Sequence, residues 1–174
     1  RVLVFDRDFK GALELTDSFP TGGIGTGAGL GNQSGLVLTP DGRWLLAGCA
    51  GGTMRLFSAD DGQPAGLTMR HTGRVRFAAF SSDGGRLVSA SSDRTARVWA
   101  VPGGDPLTPP LRHRDAVNSA RFSRDGALVA TCARDHAARV WDAATGRALS
   151  QPLHHIEQPL AAAFAPDSTI LYTS

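Results

Sequence analysis

Three residue types that together do nucleophilic chemistry stand near one another in mid-chain: His71, Ser89 and Asp93. Read as a hydrolase set, Ser89 would attack, His71 would take its proton and Asp93 would orient the imidazole. A second stretch invites a different chemistry. "GGIGTGAGLG", Gly22 to Gly31, has six glycines in ten residues and could be a turn that cradles phosphate. Its spacing argues against this. A dinucleotide fingerprint needs G-x-G-x-x-G, but Leu30 and Asn32 stand where its last glycine would fall. A P-loop ends in G-K-[S/T], and here Asn32-Gln33-Ser34 follows instead. A third possibility, a metal centre, finds no support. His136, His154 and His155 have no zinc spacing with Cys49 or Cys132, so neither a metal nor a cofactor is expected.

Spacing weakens the hydrolase reading too. His71, Ser89, Asp93 and Trp99 recur 42 residues later as His113, Thr131, Asp135 and Trp141. The supposed nucleophile changes from Ser to Thr, and no G-x-S-x-G elbow surrounds Ser89. Other pairs keep the same spacing: Phe80 with Phe122 and Phe164, and Asp41 with Asp83, Asp125 and Asp167. The chain is therefore a tandem array of one unit about 42 residues long, and its chemistry has to be read per unit.

Within a unit the period is two. "RVRFAAF", "GRLVSAS" and "TARVWAV" are short apolar segments of strand type. Tight turns at Pro40-Asp41-Gly42, Ser82-Asp83-Gly84 and Arg124-Asp125-Gly126 join first to second segments. A looser, proline-bearing fourth segment follows: "QPAGLTMR", "DPLTPPLR", "RALSQPLH". Proline suits an edge strand, where a missing N–H costs no ladder bond. Each unit is predicted to be a four-stranded antiparallel meander.

Composition agrees. The 174 residues are 41% hydrophobic and 20% charged, with 21 Gly and 10 Pro, as expected for short strands and many turns. The net charge of +2 does not single out nucleic acid, and no apolar run approaches a membrane span. "RVLVFDRDF" does not read as a signal peptide, and without an initiating Met the chain reads as a piece of a longer one. Cys49 and Cys132 fit small buried thiols in a reducing compartment, so a cytoplasmic location is expected.

The units "RHTGRVRFAAFSSDGGRLVSASSDRTARVWAV" and "RHRDAVNSARFSRDGALVATCARDHAARVWDAATG" resemble WD repeats, and the array is similar to bacterial examples. Arg precedes His71 and His113 where the family has Gly, and Trp141-Asp142 is the one true W-D pair. The resemblance implies an all-β propeller segment of about four blades, each of four antiparallel strands, with one blade split between the termini. Its parts would be a partial blade over 1–21, an inter-blade insertion over 22–31, repeats near 32–70, 71–112 and 113–154, and a partial blade over 155–174. It also implies that His71, Ser89, Asp93 and Trp99 form a structural hydrogen-bonded tetrad, as do His113, Thr131, Asp135 and Trp141. Family contacts follow the loop His and precede the turn Asp. Those positions here are Arg74, Arg76 and Ser92, then Ala116, Asn118 and Arg134, and in the degenerate unit Asn32, Ser34 and Ala50. With Arg94, Arg112 and Arg114 nearby, they suggest a basic face for an acidic or phosphorylated protein.

The expected function is a non-catalytic interaction scaffold, with no nucleic acid and no membrane as partner. The rival readings are a hydrolase using His71, Ser89 and Asp93, or a regulatory propeller attached to a kinase-like domain beyond this segment. The glycine run accounts for the 52-residue gap between Phe5 and Phe57 as an insertion between blades. Small residues such as Ala78-Ala79 and Ala161-Ala162-Ala163 in the inner strands suit a wide ring. A second copy, or more of a longer chain, would then complete it, the former as an eight-bladed homodimer.

Overall fold

The computed structural model of the chain describes residues 2–7, 13–19, 36–48, 51–165 and 171–173. The glycine run Gly22–Gly31, together with Asn32, Ser34, Cys49 and Ala50, lies outside the described residues. Every regular element among them is a strand. The first blade contains β3 (Leu36–Leu38), β4 (Trp44–Gly48), β5 (Thr53–Ser58) and β6 (Pro64–Arg70). The second contains β7 (Val75–Phe80), β8 (Arg86–Ser91), β9 (Thr95–Ala100) and β10 (Leu111–Arg112). The third contains β11 (Val117–Phe122), β12 (Leu128–Ala133), β13 (Ala137–Asp142) and β14 (Leu153–His154). Each is a four-stranded antiparallel meander paired in sequence order. Two smaller sheets flank them: β1 (Val2–Arg7) with β2 (Leu13–Phe19), and β15 (Ala162–Phe164) with β16 (Leu171–Thr173). Inner strands of successive blades lie side by side, β3 on β7, β7 on β11 and β11 on β15.

The alternation of side chains builds the seams between blades. In the second blade Leu87 and Trp99 face back and pack with Leu46, Leu56 and Met69 of the first. Val88, Ala90, Ala96 and Val98 face forward and pack with Val117, Val129 and Trp141 of the third. Full burial of one Val or Leu contributes roughly 1.5–3 kcal/mol, so these seams dominate cohesion. Arginines reinforce the second seam. The Arg121 guanidinium lies 4.6 Å from the Phe77 ring centre, and that of Arg86 lies 5.2 Å from the Phe122 ring centre. Each pair joins two blades. The seam behind the third blade is made of smaller residues, Ala130, Cys132, Ala138 and Ala162 with Phe164.

The turns between first and second strands share one locking pattern. Ser81 Oγ donates to Asp83 Oδ1 at 2.6 Å and accepts the Arg86 N–H at 3.0 Å. Thr39 with Asp41 and Ser123 with Asp125 repeat it, each hydroxyl donating at 2.6 Å. These hydroxyl bonds come first among the causes that hold all three carboxyls below the usual aspartate range.

The fourth strands are shorter than the sequence implies. β10 and β14 pair over two residues each, with isolated bridges Trp99 to Pro106 and Trp141 to Ala148 before them. Pro106, Pro109 and Pro110 cannot donate to a ladder, which thins the pairing in the second blade. The first blade has the full-length version, β6, and docks it on the second: the Leu67 N–H donates to the Gly103 carbonyl at 2.7 Å.

Candidate interaction rim and the histidine networks beneath it

β8 and β9 carry Ser89 and Trp99 on the same face, while the loop before β7 and the turn after β8 supply His71 and Asp93. The structure joins the four. The Trp99 Nε1–H donates to Ser89 Oγ at 2.8 Å. Ser89 Oγ lies 2.7 Å from His71 Nε2, and His71 Nδ1 lies 2.9 Å from Asp93 Oδ2. One tautomer satisfies every atom. The serine hydroxyl donates to Nε2 of a neutral imidazole, whose Nδ1–H donates to the carboxylate. The third blade repeats the chain: Trp141 to Thr131 at 2.8 Å, Thr131 to His113 at 2.7 Å, and His113 to Asp135 at 3.2 Å.

Burial lowers the pKa of both histidines, and the facing aspartate offsets this in part. Burial pushes Asp93 up, but the Thr95 hydrogen bond and the His71 partner outweigh it and leave its pKa below the usual value. At Asp135 burial again acts upward, and the Arg114 N–H and His113 outweigh it to the same end. Ser89 and Thr131 have no exposed surface. The geometry thus has the distances of a charge-relay set without access to its hydroxyl.

The first blade abandons the network as a whole. Ala47 and Phe57 occupy the hydroxyl and Trp positions, and they pack with Leu45 as an apolar cluster. Gly51 stands at the Asp position. A half-kept set would bury unpaired donors, so loss of all members together is the low-cost route.

Two residues escaped the sequence reading. His155 stands one period after His113, and its backbone N–H donates to the His136 carbonyl at 2.8 Å. His71 makes the same bond to Gly52 at 2.8 Å and His113 to Arg94 at 3.0 Å. His155 is therefore the loop histidine of the next blade, and the 42-residue spacing could have found it. Thr95 is the other: its hydroxyl donates to Asp93 Oδ1 at 2.6 Å and lies 3.3 Å from His71 Nδ1. Ala137 replaces it one period on, but Thr53 stands one period before it, so the 42-residue spacing held a partial signal.

The rim residues divide by what they touch. Arg74 and Arg134 are exposed; Ser92 and Arg76 are half-buried. The Arg74 carbonyl accepts the Ser92 N–H at 2.9 Å, and the Arg134 N–H donates to the Ala116 carbonyl at 2.8 Å. Arg94, Arg112 and Arg114 are exposed as well. Asn118 turns toward the next blade, donating through Nδ2 to the Pro159 carbonyl at 3.2 Å. Ala116 is buried. Arg76 and Asn118 both sit at bulges, where β7 and β11 shift register against β8 and β12. No group of His, Cys, Asp or Glu able to hold a metal occurs among the described residues.

Meanders stacked face to face about a common set of inner strands, with a His–Ser/Thr–Trp network in two of them, define a β-propeller of WD type. The family model for the WD domain, G-beta repeat, matches residues 31–58, 63–100 and 106–142, more than half of the chain. The chain belongs to this family. The crystal structure of the computationally designed Ika4 protein is similar, with a TM-score of 0.69 and 26% identity, covering 84% of this chain and 88% of that one. The crystal structure of the computationally designed Ika8 protein is similar over 75% of this chain and 39% of that chain, with a TM-score of 0.67 and 26% identity. No curated protein matches the sequence. The matched units end at β5, β9 and β13, so a sequence unit and a four-stranded blade are out of phase by one strand.

Proposed function

We propose that this chain is a non-catalytic interaction scaffold whose protein partner docks on the rim carrying Arg74, Arg76, Ser92, Asn118 and Arg134. The observation that carries this reading is the division between sealed and open chemistry. The Ser–His–Asp sets lie beneath the loops with 0% exposure at Ser89 and Thr131, while cationic side chains stand on the loops above. Family membership supports a protein partner. Affinity capture with the full chain, compared with its Arg134→Glu variant, tests the reading. Partners retained by the former and lost by the latter are the expected result; identical capture would place the binding face elsewhere.

The hydrolase alternative rests on the 2.7 Å and 2.9 Å contacts of His71. Against it, Ser89 Oγ already accepts the Trp99 N–H and no substrate atom can reach it without opening the seam. Hydrolysis of p-nitrophenyl acetate by the chain is expected to equal that of its Ser89→Ala variant.

Ring closure is part of the same proposal. Among the described residues β1–β2 and β15–β16 remain separate two-stranded sheets. They have the strand order of the outer and inner halves of one blade. A second copy pairing its halves with these, or strands from a longer chain, would complete the ring and cover the open edges. The free, buried Cys132 thiol supports a reducing, cytoplasmic setting.

A further inference from the structure

The front faces of the second and third blades are one period apart and are covered very differently. In the second blade Phe77, Ala90, Val98 and Leu111 are sealed under the third. Their counterparts are Ser119, Cys132, Val140 and Leu153. Val98 and Leu111 are 0% and 1% exposed, whereas Val140 is half-buried and Leu153 is 44% exposed. Among the described residues the apolar cover of this face comes from Ala162 and Phe164 of β15, which lies against β11 and β12. The cover thins toward the outer strands, where Val140 and Leu153 show. Cys132 is nonetheless sealed, with no exposed surface. Ser119 stands directly across the β11–β12 ladder from it, where the second blade sets Phe77 across from Ala90. Ser119 is 3% exposed, and its hydroxyl forms no hydrogen bond of good geometry and faces the Cys132 sulfur. A hydroxyl so placed gives the seam neither the apolar contact of a phenyl ring nor a satisfied donor. Burial pushes the Cys132 thiol up to about 11, against a smaller opposing pull from the Ser119 hydroxyl, so the sealed group is protonated and inert at neutral pH. Its reactivity depends on the seam parting.

We propose that Cys132 is a thiol-modification site gated by this seam: when β15 lifts, Cys132 exchanges with a low-molecular-weight disulfide of the glutathione class, and the adduct holds the half blade β15–β16 off the third blade. In the exchange the Cys132 thiolate attacks one sulfur of the disulfide. A new S–S bond forms, the old one breaks, and the other half leaves as a thiolate that takes up the proton Cys132 gave up. Cys132 is oxidised and one half of the small disulfide is reduced. The adduct is many atoms larger than a thiol and overfills a seam closed by Ala130, Ala138 and Ala162. The site does not depend on the rim, and it stands or falls separately from the scaffold reading.

The test uses the full chain with Cys49→Ser, which leaves Cys132 as its one thiol, and glutathione disulfide as the probe. Mass spectrometry is expected to show one glutathionyl adduct on the folded chain, forming at a rate nearly flat in low urea, as a local opening requires. Phe164→Ala, which thins the cover, is expected to speed the reaction at least about tenfold. The adduct is expected to raise amide exchange in β15 and not in β8 or β9, and dithiothreitol to reverse this. Three results each overturn the proposal: no adduct on the folded chain, a rate that follows urea as steeply as global unfolding, or β15 exchange unchanged by the adduct. Should Phe164→Ala fail to fold, the urea dependence and the β15 exchange of the parent chain decide alone.

Discussion

His113 is tied to two blades at once: its backbone N–H donates to the Arg94 carbonyl of the second blade at 3.0 Å, while its ring bonds Thr131 of the third at 2.7 Å. His71 does the same between Gly52 of the first blade and Ser89 of the second. The networks therefore fix the loop that links blades as well as the blade that contains them.

Removing Asp93 leaves the His71 Nδ1–H and the Thr72 N–H without their acceptor. Asp93→Ala is expected to lower stability by about 1–3 kcal/mol, read from urea unfolding. A loss below a few tenths of a kcal/mol would mean that water replaces the carboxylate freely.

The first blade suggests a stronger test of network coupling. Ser89→Ala with Trp99→Phe copies its Ala47 and Phe57 pair. Ser89→Ala alone strands the Trp99 N–H, so the double variant is expected to cost less than the sum of the singles by about 0.5–3 kcal/mol. Strict additivity in the double-mutant cycle would refute the coupling.

Acid should weaken the fold in two stages. His71 and His113 lie below their ordinary value of 6.5 when folded, so the unfolded chain binds protons more readily. Their contribution is complete above about pH 6.5 and is lost as pH falls from there through the folded values. Asp93 and Asp135, also lowered, from 3.8, give a second loss at more acidic pH. The urea midpoint should drop between pH 7.5 and 5.5, and much less in a His71→Gln, His113→Gln background; a midpoint that rises on acidification would contradict the assigned tautomers.

Two glycines with similar backbones should respond very differently to alanine. At Gly66, with φ of 64°, an added Cβ would strike the Pro102 carbonyl oxygen and come within 2.6 Å of the Gly103 oxygen. At Gly42, with φ of 75°, it meets nothing within 4 Å. Gly42→Ala is expected to cost about 1 kcal/mol of backbone strain, and Gly66→Ala a further 1–3 kcal/mol through the blade seam. Thermal melting of the two variants decides it.

The chain is expected to self-associate or to need more strands to close its ring. Light scattering over a range of concentrations should report dimers, or aggregation through open edges. A compact monomer that unfolds cooperatively at every concentration would mean that the four-blade unit closes alone.

Much of this was legible because the repeat is regular. Spacing of 42, with a period of two inside each unit, picked out the meanders, the turns and the recurring His, Ser/Thr, Asp and Trp positions, while the joining of those four into a hydrogen-bonded tetrad was implied by the resemblance to WD repeats. What the sequence hid depends on relations between strands. The bulge that frees Arg76 is a register shift, and no residue type announces it. The seam roles of Arg86 and Arg121 need the neighbouring blade's phenylalanines in place. Asn118 has the spacing of a rim residue, yet its amide reaches Pro159, in the segment that leads into β15 of the next blade. His155 was readable, and its adjacent twin His154 obscured it.

The two-residue length of β10 has a mechanical consequence. A pull along the chain at Leu111 would peel that strand's ladder from β9 in a single short step, because only Ala96 and Thr95 pair with it, leaving the buried Leu111 side chain to be drawn out of the core. The tension would then arrive at His113, whose ring is anchored in a different sheet from the strand just released. The imidazole would act as a stop, so that rupture advances in jerks, one histidine at a time, rather than as a continuous unzipping.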